Sequence, residues 1–207
     1  RGSLAGATAE ATGRPLRRAL RRTAFWALAV TFCCQAFVFF GLAFHLLPLL
    51  QERGLSLGGA LLVVAMHGPC QVLARGILFA LGSRVRDIRT IGYVGVALPP
   101  LAMLVLALAP DAPGPLLGFA VLFGISSGLM TILRVSGTAE ILGREGYGQI
   151  AGALSTAAVL PRTAAPLALA LVWEAAGGYA PVPWLLFGVT SLGAAAFLVA
   201  ARDRTPA

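Results

Sequence analysis

Three polar side chains inside one apolar segment could bind or gate a solute. His67, Gln71 and Arg75 are spaced four residues apart, so a helix over Gly58–Gly82 places them on one face. This segment exceeds the roughly 20 residues that span a bilayer. Because a guanidinium in hydrocarbon costs about 2.5–3.5 kcal/mol on insertion scales, Arg75 should face protein or water. We predict a membrane helix in which Arg75 binds an anion, joins a gate, or extends to the interface and bonds carbonyls.

Other apolar segments contain isolated polar residues as well. The candidates for substrate binding or gating are Gln35, His45, His67, Gln71, Arg75, Arg134 and Arg162. The arginines could attract an anion or form gate salt bridges, although Arg134 could also belong to loop electrostatics beside Glu140. Histidine titrates near neutrality and could relay protons, or it could stay neutral and bond a neighbouring helix. Carboxylates fall outside the middle of the apolar segments, which disfavours a cation site in this chain.

The composition excludes an ordinary soluble domain. Hydrophobic residues make up 58% and charged residues 12%, and the mean hydropathy is +0.85. The net charge of +8 comes without lysine and without aromatic–basic interleaving, so no nucleic-acid partner is predicted. The three cysteines lie in apolar segments, which disfavours a disulfide framework. His67 and Cys70 lack a third nearby ligand, so we predict no metal site and no cofactor.

Hydropathy predicts an all-α integral membrane protein with six helices. The predicted spans are Ala24–Leu50, Gly58–Gly82, Ile91–Ala109, Leu116–Val135, Gln149–Trp173 and Pro183–Ala201. Most arginines lie in the N-terminal block, in the second and fourth connections between helices, and in the C-terminal tail. The other connections contain only Arg53. The positive-inside rule therefore predicts a multi-pass protein of the cell (inner) membrane with both termini cytoplasmic.

The polar residues recur with a period of three helices. The first, second, fourth and fifth helices have polar stripes, and the third and sixth have few polar residues. The middle helix of each triplet combines proline with Arg75 or Arg162, which is typical of a transport pathway. Because each triplet crosses an odd number of times, we predict two inverted repeats, residues 23–109 and 116–202. Residues 1–22 form a cytoplasmic linker and basic block, 110–115 an outer turn, and 203–207 a cytoplasmic tail.

Two pairs of glycines predict close helix packing. Gly124 and Gly128, and likewise Gly148 and Gly152, are separated by four positions, the small-xxx-small spacing found between membrane helices.

Several segments resemble the C-terminal half of a major facilitator superfamily transporter, including bacterial monocarboxylate-transporter-like members. The segments are FHLLPLLQERGLSLGGA (44–60), GPCQVLARG (68–76), GISSGLMTILRVSGTAEILGREGYGQIAGAL (124–154) and AAPLALALVWEAAGGY (164–179). The resemblance covers about residues 16–202. It implies a partner, the N-terminal six-helix half, joined through a basic loop that ends in RPLRRALRR. It also implies that the first and fourth helices line a cavity. The loop GSRVRD lacks the Asp-Arg core of the family motif.

The residues and the resemblance together predict transport of a small solute, an organic anion in particular, by alternating access within the lipid bilayer. The alternatives are a drug or metabolite exporter, or a complete six-helix protein acting as a homodimeric channel or scaffold. The sequence GISSG matches a serine-hydrolase elbow, but both histidines precede the serine, whereas in rhomboid-type proteases the base follows it. We therefore predict no enzyme and no catalytic residue.

Overall fold

The computed structural model describes residues 15–81 and 87–203, and these contain six long helices and no β-strand. All six are long and apolar enough to cross a membrane, so the prediction of an all-α membrane protein is confirmed. A short helical segment over residues 15–20 precedes them. The helices are α1 (Thr23–Glu52), α2 (Leu57–Leu81), α3 (Ile88–Leu108), α4 (Pro113–Leu142), α5 (Tyr147–Ala176) and α6 (Val182–Arg202).

Three helix ends lie some residues beyond the predicted ends, for local reasons. Helix α3 begins at Ile88 because Asp87 caps it, accepting from the Arg89 backbone N–H at 2.8 Å. Helix α4 begins at Pro113, since proline suits the first helical turn, so the predicted turn 110–115 is shorter. At its other end α4 continues past Val135 to Leu142 through a π-helical turn over Leu133–Gly137. The polar residues after Val135 end the apolar sequence pattern, but the backbone hydrogen bonds of the helix continue to Leu142.

Helix α5 is interrupted at Ala158, three residues before Pro161. It consists of Tyr147–Ala157 and Val159–Ala176. Pro161 has no N–H, so the carbonyl of Ala157, four residues earlier, loses its helical partner. The Cys33 thiol donates a hydrogen bond to this carbonyl at 3.4 Å. A cysteine of α1 thus satisfies the backbone group that the proline leaves free.

The helices pack mainly between the two triplets. Helix α1 packs on α5 and α6, α4 packs on α2 and α3, and α3 packs on α6. Exchanging α1 with α4, α2 with α5 and α3 with α6 reproduces the same contacts. Such a pattern is that of two triplets related by a twofold axis, with opposite directions because each contains three crossings.

Both ends of the described chain lie at one end of the bundle, here called the terminal end. Arg22 forms an ion pair with Asp203 at 3.2 Å, and Arg89 donates to the Asp203 carbonyl at 3.2 Å. The opposite end, called the distal end, carries the loops around residues 53–56, 109–112 and 177–181. One apolar core cluster lies near each end, around Leu50 and Phe119 distally and around Phe32 and Phe197 terminally.

Glycine allows α2 and α4 to approach closely. A Cβ on Gly124 would lie 2.7 Å from the Cys70 Cβ, and one on Gly128 would lie 2.7 Å from the Gln71 carbonyl oxygen. The first predicted glycine pair is therefore confirmed. The second pair, Gly148 and Gly152, makes no close contact within the described part of the chain, because no described atom lies within 4 Å of a Cβ built on either residue.

We expect Gly128→Ala to destabilise the fold by about 1–3 kcal/mol, as overpacking does, because its Cβ would push the two backbones apart. Thermal unfolding in detergent measures the effect. Gly76→Ala is the control, since nothing lies within 4 Å of a Cβ there. Equal stability of the two variants would contradict the close α2–α4 contact.

At the distal end, Arg53 caps the C-terminus of α3. Its Nη2 donates to the Ala109 carbonyl at 2.6 Å, its Nη1 donates to the Leu106 carbonyl, and its Nε contacts Asp111 at 2.6 Å. A cation suits a helix C-terminus, where carbonyls lack helical partners. Arg53 thereby joins the loop after α1 to the loop after α3.

We expect Arg53→Met to lower the unfolding temperature more than Asp111→Asn does. The methionine variant loses both carbonyl contacts, whereas Asp111→Asn removes only an ion pair whose acid is 59% exposed. Exposed ion pairs contribute about 0–1 kcal/mol. The comparison uses thermal unfolding in detergent, and an equal or larger effect of Asp111→Asn would contradict the capping role.

Candidate functional site

A cavity of about 340 Å³ lies between α1, α2, α4 and α5. This volume falls within the range of small-molecule sites. The polar stripes of the four helices meet in it, and no residue of α3 or α6 is among its described lining residues. Its polar side chains are Gln35, Gln71, Ser127, Thr131, Arg134, Ser155 and Arg162. The structure thus brings together four of the seven sequence candidates: Gln35, Gln71, Arg134 and Arg162.

Both cavity arginines rest on aromatic rings of α1. The Arg162 guanidinium lies 4.1 Å from the Phe40 ring centroid, and the Arg134 guanidinium lies 4.9 Å from that of Phe32. Such cation–π contacts attract a guanidinium to the face of the ring without neutralising its charge. Phe32 and Phe40 are two helical turns apart, about 12 Å of rise, so the two cations approach the cavity at different depths.

Neither guanidinium has a hydrogen bond or an ion pair with any residue in the described ranges 15–81 and 87–203. No aspartate or glutamate is among the residues described as lining the cavity. Two unpaired cations therefore share one space without a compensating carboxylate. The arrangement can attract a negative charge.

The folding of α4 and α5 explains where these side chains lie. Arg134 belongs to the π-helical turn of α4, within a helix that continues to Leu142 and not at the helix end that the sequence predicts. Ser127 and Thr131 donate their hydroxyls to carbonyls one turn earlier in α4, both at 2.9 Å. Their oxygens keep lone pairs that can accept from a ligand. Arg162 follows Pro161, just after the interruption of α5.

Arg75 and His67 lie outside this cavity. The Arg75 Nε is buried and has no partner among the described residues. The His67 ring packs between Phe39 and Phe123, with centroid distances of 5.9 and 5.2 Å, and both its nitrogens are buried without a described partner. His67 lines a separate, smaller pocket.

His45 belongs to a hydrogen-bond network at the distal end. Its Nε2–H donates to the Pro166 carbonyl at 2.9 Å, so in the neutral imidazole its Nδ1 accepts from the Tyr179 hydroxyl at 2.8 Å. Glu52 accepts from the Trp173 indole at 2.9 Å and from the Tyr179 backbone N–H at 2.6 Å. Burial, with a smaller effect from Glu52, raises the pKa of the Tyr179 phenol above its usual range. The network joins α1 to α5 and the loop that follows.

Sequence reasoning missed the aromatic supports Phe32 and Phe40. Their signal was the spacing of two phenylalanines eight residues apart on a helix that also carries Gln35. Ser127, Thr131 and Ser155 were noticed as parts of polar stripes but not proposed as site residues.

Residues 3–166 match the family model of the Major Facilitator Superfamily. The chain belongs to this superfamily. The match includes every residue described as lining the cavity. No curated protein matches the chain. Superfamily membership and six apolar helices identify a multi-pass membrane transport protein, and members of the superfamily carry small molecules.

For this superfamily member we expect Tyr179→Phe to lower stability by about 0.5–1.5 kcal/mol, the usual contribution of one hydrogen bond. The change removes the hydroxyl that His45 Nδ1 accepts from. Tyr93→Phe is the matched control, because the Tyr93 hydroxyl has no hydrogen bond among the described residues. Equal thermal unfolding of the two variants in detergent would contradict the network.

Proposed function

We propose that this chain transports a small organic anion by alternating access, as the C-terminal six-helix half of a secondary transporter. One observation carries the proposal: the unpaired guanidiniums of Arg134 and Arg162 share a cavity in which no acidic residue is described. The subtype proposed from the resemblance is the bacterial monocarboxylate-transporter-like group.

The chemistry of the cavity favours a carboxylate. Guanidinium presents its N–H groups as a planar fork that matches the two oxygens of a carboxylate, and charge-assisted hydrogen bonds are stronger than neutral ones. Gln35 and Gln71 can donate to the same anion, and the hydroxyl of Ser155 can orient it. A cationic drug would meet two like charges here, which disfavours the alternative of a cationic-drug exporter.

The partner that completes the cavity is proposed to be the N-terminal six-helix half. Helices α2 and α5 are the least buried of the six, and Arg162 and Ser155 are exposed although they line the cavity. The open faces around Gly68 and Gly76 in α2, and around Gly148 and Gly152 in α5, could accept closely packed helices. A second copy of this chain is the alternative occupant, as in a homodimeric channel or scaffold.

The proposed location is the cell (inner) membrane, with the terminal end cytoplasmic. The basic residues around Arg22 and Arg89 lie at that end, whereas Trp173 and Trp184 lie toward the other. This distribution follows the positive-inside rule and the preference of aromatic rings for the membrane interface.

We expect Arg134→Gln and Arg162→Gln each to reduce uptake of radiolabelled propanoate at least about tenfold, because each removes a charge-assisted contact. Uptake is measured in liposomes containing the protein expressed from its complete reading frame. Arg202→Gln is the control, since it removes an exposed arginine outside the cavity.

Wild-type uptake by both cavity variants would overturn the anion proposal. Passive ion conductance in place of substrate-driven counterflow would overturn the carrier and favour the channel. The same assay on Arg75→Gln tests the separate proposal that Arg75 binds or gates: reduced uptake supports it, and unchanged uptake contradicts it.

A further inference from the structure

A second pocket of about 130 Å³ adjoins the cavity on its distal side. Phe39 lines both spaces. The other walls come from α1, α2 and α4, and they are apolar apart from His67: Leu42, Ala43, Leu46, Leu47, Val63, Val64, Phe119, Ala120 and Phe123. Apolar cavities of about 150 Å³ bind benzene, so this pocket is close to the size of one aromatic ring.

The two spaces form successive layers of the bundle. Gln35, Gln71 and Ser127 line the cavity, and on each of the three helices the residue one turn toward the distal end lines the pocket. These three residues carry rings: Phe39, His67 and Phe123. Four residues correspond to about 6 Å of helix rise. A layer of polar groups is therefore followed, one turn farther on, by a layer of rings.

Ring contacts run continuously from the cavity arginine into the pocket. Phe40, beneath Arg162, contacts Phe39 at a centroid distance of 5.4 Å, and Phe39 contacts His67 at 5.9 Å. His67 contacts Phe123 at 5.2 Å, and Phe123 stacks on Phe119 at 5.6 Å. One molecule could extend along this path from a guanidinium to the pocket.

His67 lines the pocket with its ring and not with its nitrogens. Both ring nitrogens are buried and have no partner in the described part of the chain. Because water can reach neither nitrogen, the imidazole presents ring carbons to the pocket. His67 therefore joins Phe39 and Phe123 in a layer of rings that a ligand ring can contact.

We propose that the pocket binds the aromatic end of the transported anion. This inference rests on the proposed function, and it names the substrate class as an aryl carboxylate. The carboxylate binds at Arg134 and Arg162, and the aromatic ring enters the pocket past Phe39. Specificity for the ring thus comes from the apolar walls and from the layer of Phe39, His67 and Phe123.

The test measures binding of two probes to the purified full-length protein by isothermal titration calorimetry. The probes are propanoate and 3-phenylpropanoate, which share a head group. We expect the phenyl group to tighten binding about tenfold or more, as filling an apolar pocket does. The Ala43→Phe variant should abolish this advantage and leave propanoate unchanged, because its ring fills the pocket from an exposed position. Ala65→Phe, at an exposed position of α2 outside the pocket, is the control.

The outcomes separate the two proposals. If propanoate binding depends on Arg134 and Arg162 but the phenyl group brings no advantage that Ala43→Phe removes, the pocket inference is wrong and the anion function stands. If no carboxylate binds the wild-type protein, or if binding does not depend on the two arginines, the proposed function is wrong, and the inference falls with it.

Discussion

The cost of placing a guanidinium in hydrocarbon constrains the whole arrangement. At about 2.5–3.5 kcal/mol per arginine on insertion scales, Arg134 and Arg162 require a place that is neither lipid nor dry apolar core. The bundle provides one by keeping its two apolar core clusters near opposite ends and leaving a polar space between α1, α2, α4 and α5. Phe32 and Phe40 then support the cations from α1 without neutralising them. The charge stays available because no carboxylate is described among the cavity walls.

Contacts between the two triplets fix the positions of the helices that form the cavity walls. Gly128 lets α4 approach the backbone of α2, and Pro161 interrupts α5 where the Cys33 thiol replaces the lost backbone partner. Both features bring a helix of one triplet against a helix of the other. Because the triplets interlock in this way, neither has a complete core of its own, and the cavity walls come from both.

Charged side chains join neighbouring elements at both ends of the bundle. Asp203 joins Arg22 and Arg89 at the terminal end, and Glu52 and Arg53 join three loops at the distal end. In the proposed function, the six helices move as one body against a partner half, as in alternating-access transporters built from repeats. The polar layer and the ring layer between those ends would then move together with a bound anion.

The sequence alone determined the class, the six spans, the repeat of polar stripes and the contact at Gly124 and Gly128. It could do so because a bilayer requires long apolar helices, and such helices are readable from local composition. Tertiary structure decided which polar residues meet. A helix turns about 100° per residue, so positions four apart diverge by about 40°, and His67, Gln71 and Arg75 reach three different surroundings. The π-helical turn that places Arg134 in the cavity, the rings beneath the arginines and the partners of His45 all depend on neighbouring helices. Sequence spacing within one helix contains no information about them.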